Sequence, residues 1–245
     1  AMKITFPGTR GYIKAATRRH RRHTCTVFEY YRRRVLIDWG ADWRGKLSRI
    51  DPGAVFLTHA HPDHAFGLKS GTEIPVYATE DSWRKLEKEN IAGGISKRRT
   101  IELREPIRLG KFTLEAFGLE HSTRAPAVGY RITAGRVTVF YAPDVAYIHD
   151  RGAALKGCRI YIGDGATLRR SMIRKPKETI IGHVPVRTQL TWCSKEGVKR
   201  AIITHCGSGI VDGDERKLGA ELREMARERG VKAEFAYDGM EVVER

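Results

Sequence analysis

One nine-residue segment concentrates the chemistry of this 245-residue chain. Phe56-Leu57-Thr58-His59-Ala60-His61-Pro62-Asp63-His64 puts three imidazoles and a carboxylate within six positions, directly after an apolar run. On an extended turn His59 and His61 point the same way and can share a cation. Asp63 and His64, opening the next helix, can face a neighbouring position. Neutral imidazole and carboxylate are borderline donors suited to Zn²⁺, Mn²⁺ or Fe²⁺. Four further candidates each close an apolar stretch: Asp38 after Val35-Leu36-Ile37, His121 after Phe117-Gly118-Leu119-Glu120, Asp144 after Val139-Phe140-Tyr141-Ala142-Pro143, and His205 after Ala201-Ile202-Ile203-Thr204. Polar groups at the carboxyl ends of buried strands lie where α/β folds gather their sites. Jointly these residues would complete a site for two metals.

The elements that must carry them are short. Met2–Phe6, Thr24–Tyr31, Arg34–Ile37, Ala54–Leu57, Pro75–Ala78 and Phe112–Phe117 read as strands, as do Val128–Thr133, Arg136–Tyr141, Arg159–Ile162, Ala201–Thr204 and Ala233–Tyr237. Gly135 marks a tight hairpin turn. Helices are expected at Glu80–Asn90 after a Thr79 cap, around Thr188–Glu196, and at Asp214–Arg229. The last of these aligns Leu218, Leu222, Met225 and Ala226 on one stripe and stops at Gly230. Strands lead into helices in both halves, with no linker or repeat between them, so one layered α/β domain over residues 1–245 is expected.

Charge and cysteine usage narrow the classes. The 45 lysines and arginines outnumber the 29 acidic residues, for a net charge of +16. Residues 1–34 carry ten of the basic side chains against the single Glu29, and Leu168–Lys177 holds five more with no acid. Such clusters steer and hold phosphates, and Arg18, Arg19, Arg21 and Arg22 are the candidate phosphate-binding residues. His20 and His23, lying among them, suit a phosphate contact rather than a metal. Tyr12, Phe28, Tyr30 and Tyr31 read as core or sheet surface rather than base platforms. No stretch reaches the roughly 18 apolar residues of a membrane span, and the opening residues lack a signal-peptide layout. Cys25, Cys158, Cys193 and Cys206 form no CxxC pair, so a reducing cytoplasm is the expected location.

The order Asp38, His59-x-His61-x-Asp63-His64, His121, Asp144, His205 resembles the metallo-β-lactamase superfamily over nearly the whole chain. The resemblance implies an αββα sandwich with one metal held by His59, His61 and His121. A second would be held by Asp63, His64 and His205, with Asp144 bridging the two and Asp38 supporting the site from behind. Zinc is the first expectation for both ions, with manganese or iron as alternatives.

Two further segments resemble the ribonuclease Z-like branch: Phe6-Pro7-Gly8-Thr9-Arg10-Gly11 with the basic stretch after it, and Ile160 to Thr167 followed by Gly182-His183. By that likeness His183 would be the general acid and Asp164 its orienting partner, acting beside the ligand Asp63. Gly165 is an extra residue against that pattern, and Val184-Pro185-Val186 replaces the branch's small hydroxylated residues. His121 and Asp144 are 23 positions apart, too close for the arm that ribonuclease Z uses to grip tRNA. The chain is therefore more similar to compact cyclic-ribose phosphodiesterases, which are often dimers. The function implied is a two-metal phosphodiesterase, with a metal-bridging hydroxide attacking phosphorus in nucleic acid or in a small nucleotide or cyclic phosphate ester. Lactone, ester or thioester hydrolysis on the same site is the alternative.

Overall fold

The computed structural model describes residues 1–245. Its layers follow from the alternation of apolar side chains along the strands. Val35 and Ile37 bury in one cluster and Leu36 in another, and Ala54 and Phe56 separate from Val55 in the same way. In the other half Ile160, Ile162 and Ile202 join the first of these clusters, while Tyr161, Ala201 and Ile203 enter a third. Successive side chains leave opposite faces of a strand, so each sheet is covered on both faces. The shared cluster lies between two sheets and each remaining cluster lies between a sheet and its helices. This is the αββα arrangement.

The first sheet has seven strands in the order Met240–Glu244, Met2–Gly8, Cys25–Tyr30, Arg33–Ile37, Ala54–Phe56, Val76–Ala78, Arg98–Thr100. Its early members pair antiparallel, and pairing turns parallel from Arg33–Ile37 onward. The second sheet follows Tyr147–Ile148, Phe112–Glu120, Ala127–Ala134, Val137–Tyr141, Ile160–Asp164, Arg200–Thr204, Lys232–Phe235, with Ile107–Leu109 pairing to Phe112–Glu120. Its last four strands are mutually parallel.

Local chemistry explains the helix limits. Thr79 accepts a hydrogen bond from Ser82 N at the start of Glu80–Lys88, and Asp214 accepts from Lys217 N at the start of Glu215–Arg227. The latter buries Leu222, Met225 and Ala226, with Leu218 half-buried beside them. The helix expected from Thr188 begins two residues earlier, at Val186 after Pro185. None of the helices is long and apolar enough to cross a membrane.

Several short elements lie outside the sequence expectation, among them the strands Arg98–Thr100, Ile107–Leu109 and Tyr147–Ile148 and the helices Arg151–Leu155 and Ser208–Val211. Met240–Glu244 is a strand that closes the first sheet against Met2–Gly8; with only three apolar residues in five, it carries a weak periodic signal. Met172–Arg174 and Ile181–His183 pair as a small separate hairpin, built from a segment whose charge masks any alternation.

Candidate dinuclear metal site

The seven candidate ligands gather at one end of the facing sheets, each beyond the carboxyl end of a strand. His59–His64 follow Ala54–Phe56, His121 follows Phe112–Glu120, Asp144 follows Val137–Tyr141, and His205 follows Arg200–Thr204. The strand expected to stop at Phe117 runs to Glu120, which delivers His121 to that end. Asp38 and His205 both occupy the left-handed region, with φ of +67° and +52°. Such backbone persists in non-glycine residues where the surroundings fix it, often at functional sites. The neighbouring Gly40 is required by close approach: a Cβ there would lie 2.0 Å from the Asp63 carbonyl oxygen.

Asp38 is fully buried and holds the loop from behind. One carboxylate oxygen accepts from Thr58 N at 2.8 Å, and the other accepts from Thr58 Oγ1 and from His64 Nδ1, both at 2.7 Å. His121 Nδ1 similarly donates to Gly182 O at 3.0 Å. Both rings therefore carry a proton on Nδ1 and aim Nε2 into the site, the arrangement that orients metal-binding imidazoles.

Asp144 Oδ2 is the centre of the constellation. It lies 2.8 Å from His64 Nε2, 3.4 Å from His59 Nε2, 3.5 Å from His121 Nε2 and 3.4 Å from His205 Nε2. His59, His61, His121 and Asp144 form one group whose ligand atoms lie within 4.8 Å of one another, and Asp63, His64, Asp144 and His205 form a second. Asp144 belongs to both, as a bridging ligand must.

The donor set fits divalent ions. Nε2 of His64 faces Nε2 of His205 at 3.3 Å, and His59 Nε2 faces His61 Nδ1 at 2.9 Å. Asp144 Oδ1 and His205 Nδ1 are buried without a hydrogen-bond partner. Lone pairs converging in a dry site repel unless a cation or proton lies among them. Burial pushes the His59 ring well below its ordinary basicity and that of His61 to about 4, leaving both as neutral donors. Burial also opposes charge on His64, but Asp63 and Asp38 outweigh it and raise that ring well above the usual range.

His183 stands beside the cluster. Its Nδ1 donates to Asp164 Oδ2 at 2.6 Å and lies 3.1 Å from Asp144 Oδ1. Asp164 is itself immobilised, accepting from Val145 N and Ala166 N at 2.9 Å each. Gln189, buried beneath, accepts from Tyr161 Oη and Asp164 N and donates to Asp164 O. Burial disfavours the charged His183 ring, yet Asp164 and Asp144 prevail and lift it to about 9.

A family model described as "Beta-lactamase superfamily domain" matches residues 33–206, most of the chain and every residue of this cluster. The chain belongs to the beta-lactamase superfamily. Solved structures agree on the fold. The metallo-β-lactamase fold protein YhfI from Bacillus subtilis superposes with a TM-score of 0.78 at 20% identity, covering 98% of each chain. A diphosphatase of the PhnP family gives 0.72 at 20%, covering 98% of this chain and 96% of its own. The short form of human tRNase Z gives 0.66 at 19%, covering 98% of each. No curated protein matches the chain by sequence.

Against this superfamily frame, the opening basic segment departs from expectation. Gly11, Tyr12 and Ile13 line a cavity of about 340 Å³ together with His61, Asp63, His121, Asp144, His183 and His205. Arg18, Arg19, Arg21 and Arg22 do not line it. Arg18 and Arg19 face a separate cavity, where Arg19 pairs with Glu215 at 2.7 Å and covers the Tyr237 ring. The backbone N–H groups of Arg21 and Arg22 donate to Asp238, and the Arg22 guanidinium lies over Trp43. The cause is Arg10, whose buried guanidinium binds Arg21 O, Ile13 O and Asp42, folding the loop so that its glycine and tyrosine meet the site. His20 and His23 are buried in this loop, His20 against Thr9 and His23 against Asp42. Tyr12, assigned above to core or sheet, is 66% exposed at the mouth of the cavity. Thr58 and Gln189 carry orienting hydrogen bonds that no local pattern marks, although Thr58 adjoins His59.

Proposed function

We propose that the chain is a two-metal phosphodiesterase, and the observation that carries this reading is the His183–Asp164 pair beside the metal cluster. Phosphodiester hydrolysis expels an alkoxide, a poor leaving group unless it is protonated as it departs. His183 lines the metal cavity, with Nδ1 engaged by Asp164 and Nε2 left to hold the proton that the leaving oxygen takes. The carboxylate of Asp164 keeps the ring charged and fixes its plane. The chain's own part in the reaction is therefore to orient the ester at one end of the cavity, exclude water behind it, and deliver a proton at Nε2.

His59, His61 and His121 would hold one ion and Asp63, His64 and His205 the other, with Asp144 shared. When bound, two such ions supply Lewis acidity that acidifies water and offsets phosphoryl charge. Five imidazoles and two carboxylates favour zinc, with manganese or iron as substitutes. The structural likeness to a PhnP-family diphosphatase and to tRNase Z accords with phosphate chemistry. The deciding experiment is hydrolysis of bis-p-nitrophenyl phosphate by zinc- or manganese-loaded protein, alongside an uncharged lactone and a thioester. Turnover of the phosphodiester is expected. Turnover of the lactone or thioester alone would replace this reading with carboxylic-ester hydrolysis on the same residues.

A further inference from the structure

A second cavity, of about 980 Å³, opens directly from the metal site: His61, His121, Met172 and His183 line both. Its other walls are Ser122, Thr123 and Arg124 on one side and the segment from Arg170 to Arg174, with Ile181 and Gly182, on the other. Its charge pattern differs from that of two other cavities. The cavity against Arg18 and Arg19 contains Glu215 and Glu234, and a third contains Glu80, Asp81, Glu102 and Glu120. The groove beside the metals contains three arginines and no carboxylate. Arg169, next in sequence to Arg170, is neutralised by Glu221 at 2.5 Å. Arg124, Arg170 and Arg174 have no such partner.

These arginines are carried on backbone fixed to the metal cluster. Gly182 N donates to His121 O at 2.8 Å while His121 Nδ1 donates to Gly182 O, so the hairpin is locked to a candidate ligand. Gly182 has φ +100°, and a Cβ there would lie 2.1 Å from Met172 O; the hairpin closes this tightly only because that residue is glycine. Across the groove, Ser122 Oγ accepts from Arg124 N and Ala125 N and shapes the turn that presents Arg124. Three cations without counter-ions along one channel favour an anion there. The hydroxyls of Ser122, Thr123 and Ser171 add uncharged donors suited to phosphate or sugar oxygens.

We propose, building on the phosphodiesterase reading, that this groove receives the substrate beyond the scissile bond. Arg124, Arg170 and Arg174 then set specificity for a chain with further phosphates, and the substrate is an end of single-stranded nucleic acid. Size separates this from a small cyclic phosphate ester. Whole small-molecule sites occupy about 300–1,000 Å³, so one nucleotide fills the metal cavity of about 340 Å³ and leaves the groove vacant.

The test compares kcat/KM for fluorescent single-stranded RNA and DNA oligonucleotides with that for bis-p-nitrophenyl phosphate, which carries no further phosphate for the arginines to bind. In the triple variant Arg124→Ser, Arg170→Ser, Arg174→Ser, the oligonucleotide-to-bis-p-nitrophenyl ratio should fall about 100-fold at 0.1 M salt, and the log–log salt dependence should flatten by about 2, since each single-strand phosphate contact contributes about 0.7. The control Arg108→Ser, Arg136→Ser, Arg216→Ser removes equal charge from exposed sites elsewhere and should leave the ratio in place. An unchanged ratio in the first variant, an equal fall in both, or a wild-type preference for cyclic nucleotides over oligonucleotides overturns the proposal. Wild-type protein inert towards every phosphodiester sinks the phosphodiesterase reading itself. Oligonucleotide anisotropy provides a second measure: affinity falls in the groove variant and holds in the control.

Discussion

Replacing His183 by alanine separates proton donation from every other contribution of the site. The ring is held protonated up to about 9, against an ordinary 6.5, by Asp164 at 2.6 Å and Asp144 at 3.1 Å, even though burial opposes the charge. Asp164 thereby favours the imidazolium, the form that can give up a proton. A positioned acid typically contributes about 10²–10⁴-fold, or about 3–5 kcal/mol of barrier. The gain applies only where the leaving group needs the proton. His183→Ala should therefore lower kcat/KM about 10²–10⁴-fold for a dinucleotide, which expels a ribose alkoxide. For bis-p-nitrophenyl phosphate, which expels a stable phenolate, the loss should stay under about tenfold. Asp164→Asn keeps the side chain's size, removes the anion that favours the charged ring and sets an amide NH2 against an N–H donor such as Ala166 N. Activity that requires the acid form is present below the pKa of the ring and lost above it, so this variant should move the high-pH limb of kcat downward. The assay is steady-state kinetics on both substrates across pH, with metal content measured for each variant. Equal losses on the two substrates at full metal occupancy would refute the proton-donor role and leave His183 as a merely structural neighbour of Asp144.

Three further outcomes follow from other parts of the structure. Asp38→Asn retains a residue that tolerates the left-handed backbone but weakens the anchor on His64 Nδ1; orienting partners of this kind are worth about 10–100-fold in metal affinity, measurable by chelator competition, and unchanged affinity would remove Asp38 from the site. Metal at 1,000 times its Kd stabilises the folded chain by about 4 kcal/mol per site, so stripping both sites should lower Tm by about 15–30 °C for a chain of this size; scanning calorimetry with no shift would count against a bound-metal native state. His20 is lowered to about 4 by burial and by Arg19, so the unfolded chain takes up a proton near 6.5 that the folded chain refuses until about 4. Stability should drop by about 2 kcal/mol as pH falls through that window, an amount discounted for water at the ring's edge, and His20→Gln should flatten the drop in urea titrations; an equal slope in both proteins would assign the loss to other groups.

The site was legible because its chemistry is compressed into strand ends. His59 to His64 form a local cluster, and Asp38, His121, Asp144 and His205 each terminate a run of apolar residues that could only be a buried strand. Once two sheets stack, those ends meet without further information. The limits of the strands were less legible: Phe112–Glu120 extends three residues beyond its apolar stretch because its pairing with Ala127–Ala134 continues to Leu119. Met240–Glu244 and the Met172–His183 hairpin depend on pairing partners that no periodicity within five residues can announce.

The basic segments show where composition misleads. Ten cations in the first 34 residues suggest a phosphate cradle, yet Arg10 turns inward, Arg19 is neutralised by Glu215, and Arg18, Arg19, Arg21 and Arg22 miss the metal cavity. A guanidinium is available to a ligand only if the fold denies it a carboxylate, and such pairing is set by residues distant in sequence: Glu215 is far along the chain from Arg19. The shorter run at Leu168–Lys177 carries half as many cations but has kept Arg170 and Arg174 unpaired beside the candidate ligands His61 and His121. Counting cations therefore ranks the two segments in the reverse of their value to an anionic substrate. The useful quantity is the number of cations left without a partner near the site, and in this protein Arg124, Arg170 and Arg174 line one cavity with His61, His121 and His183.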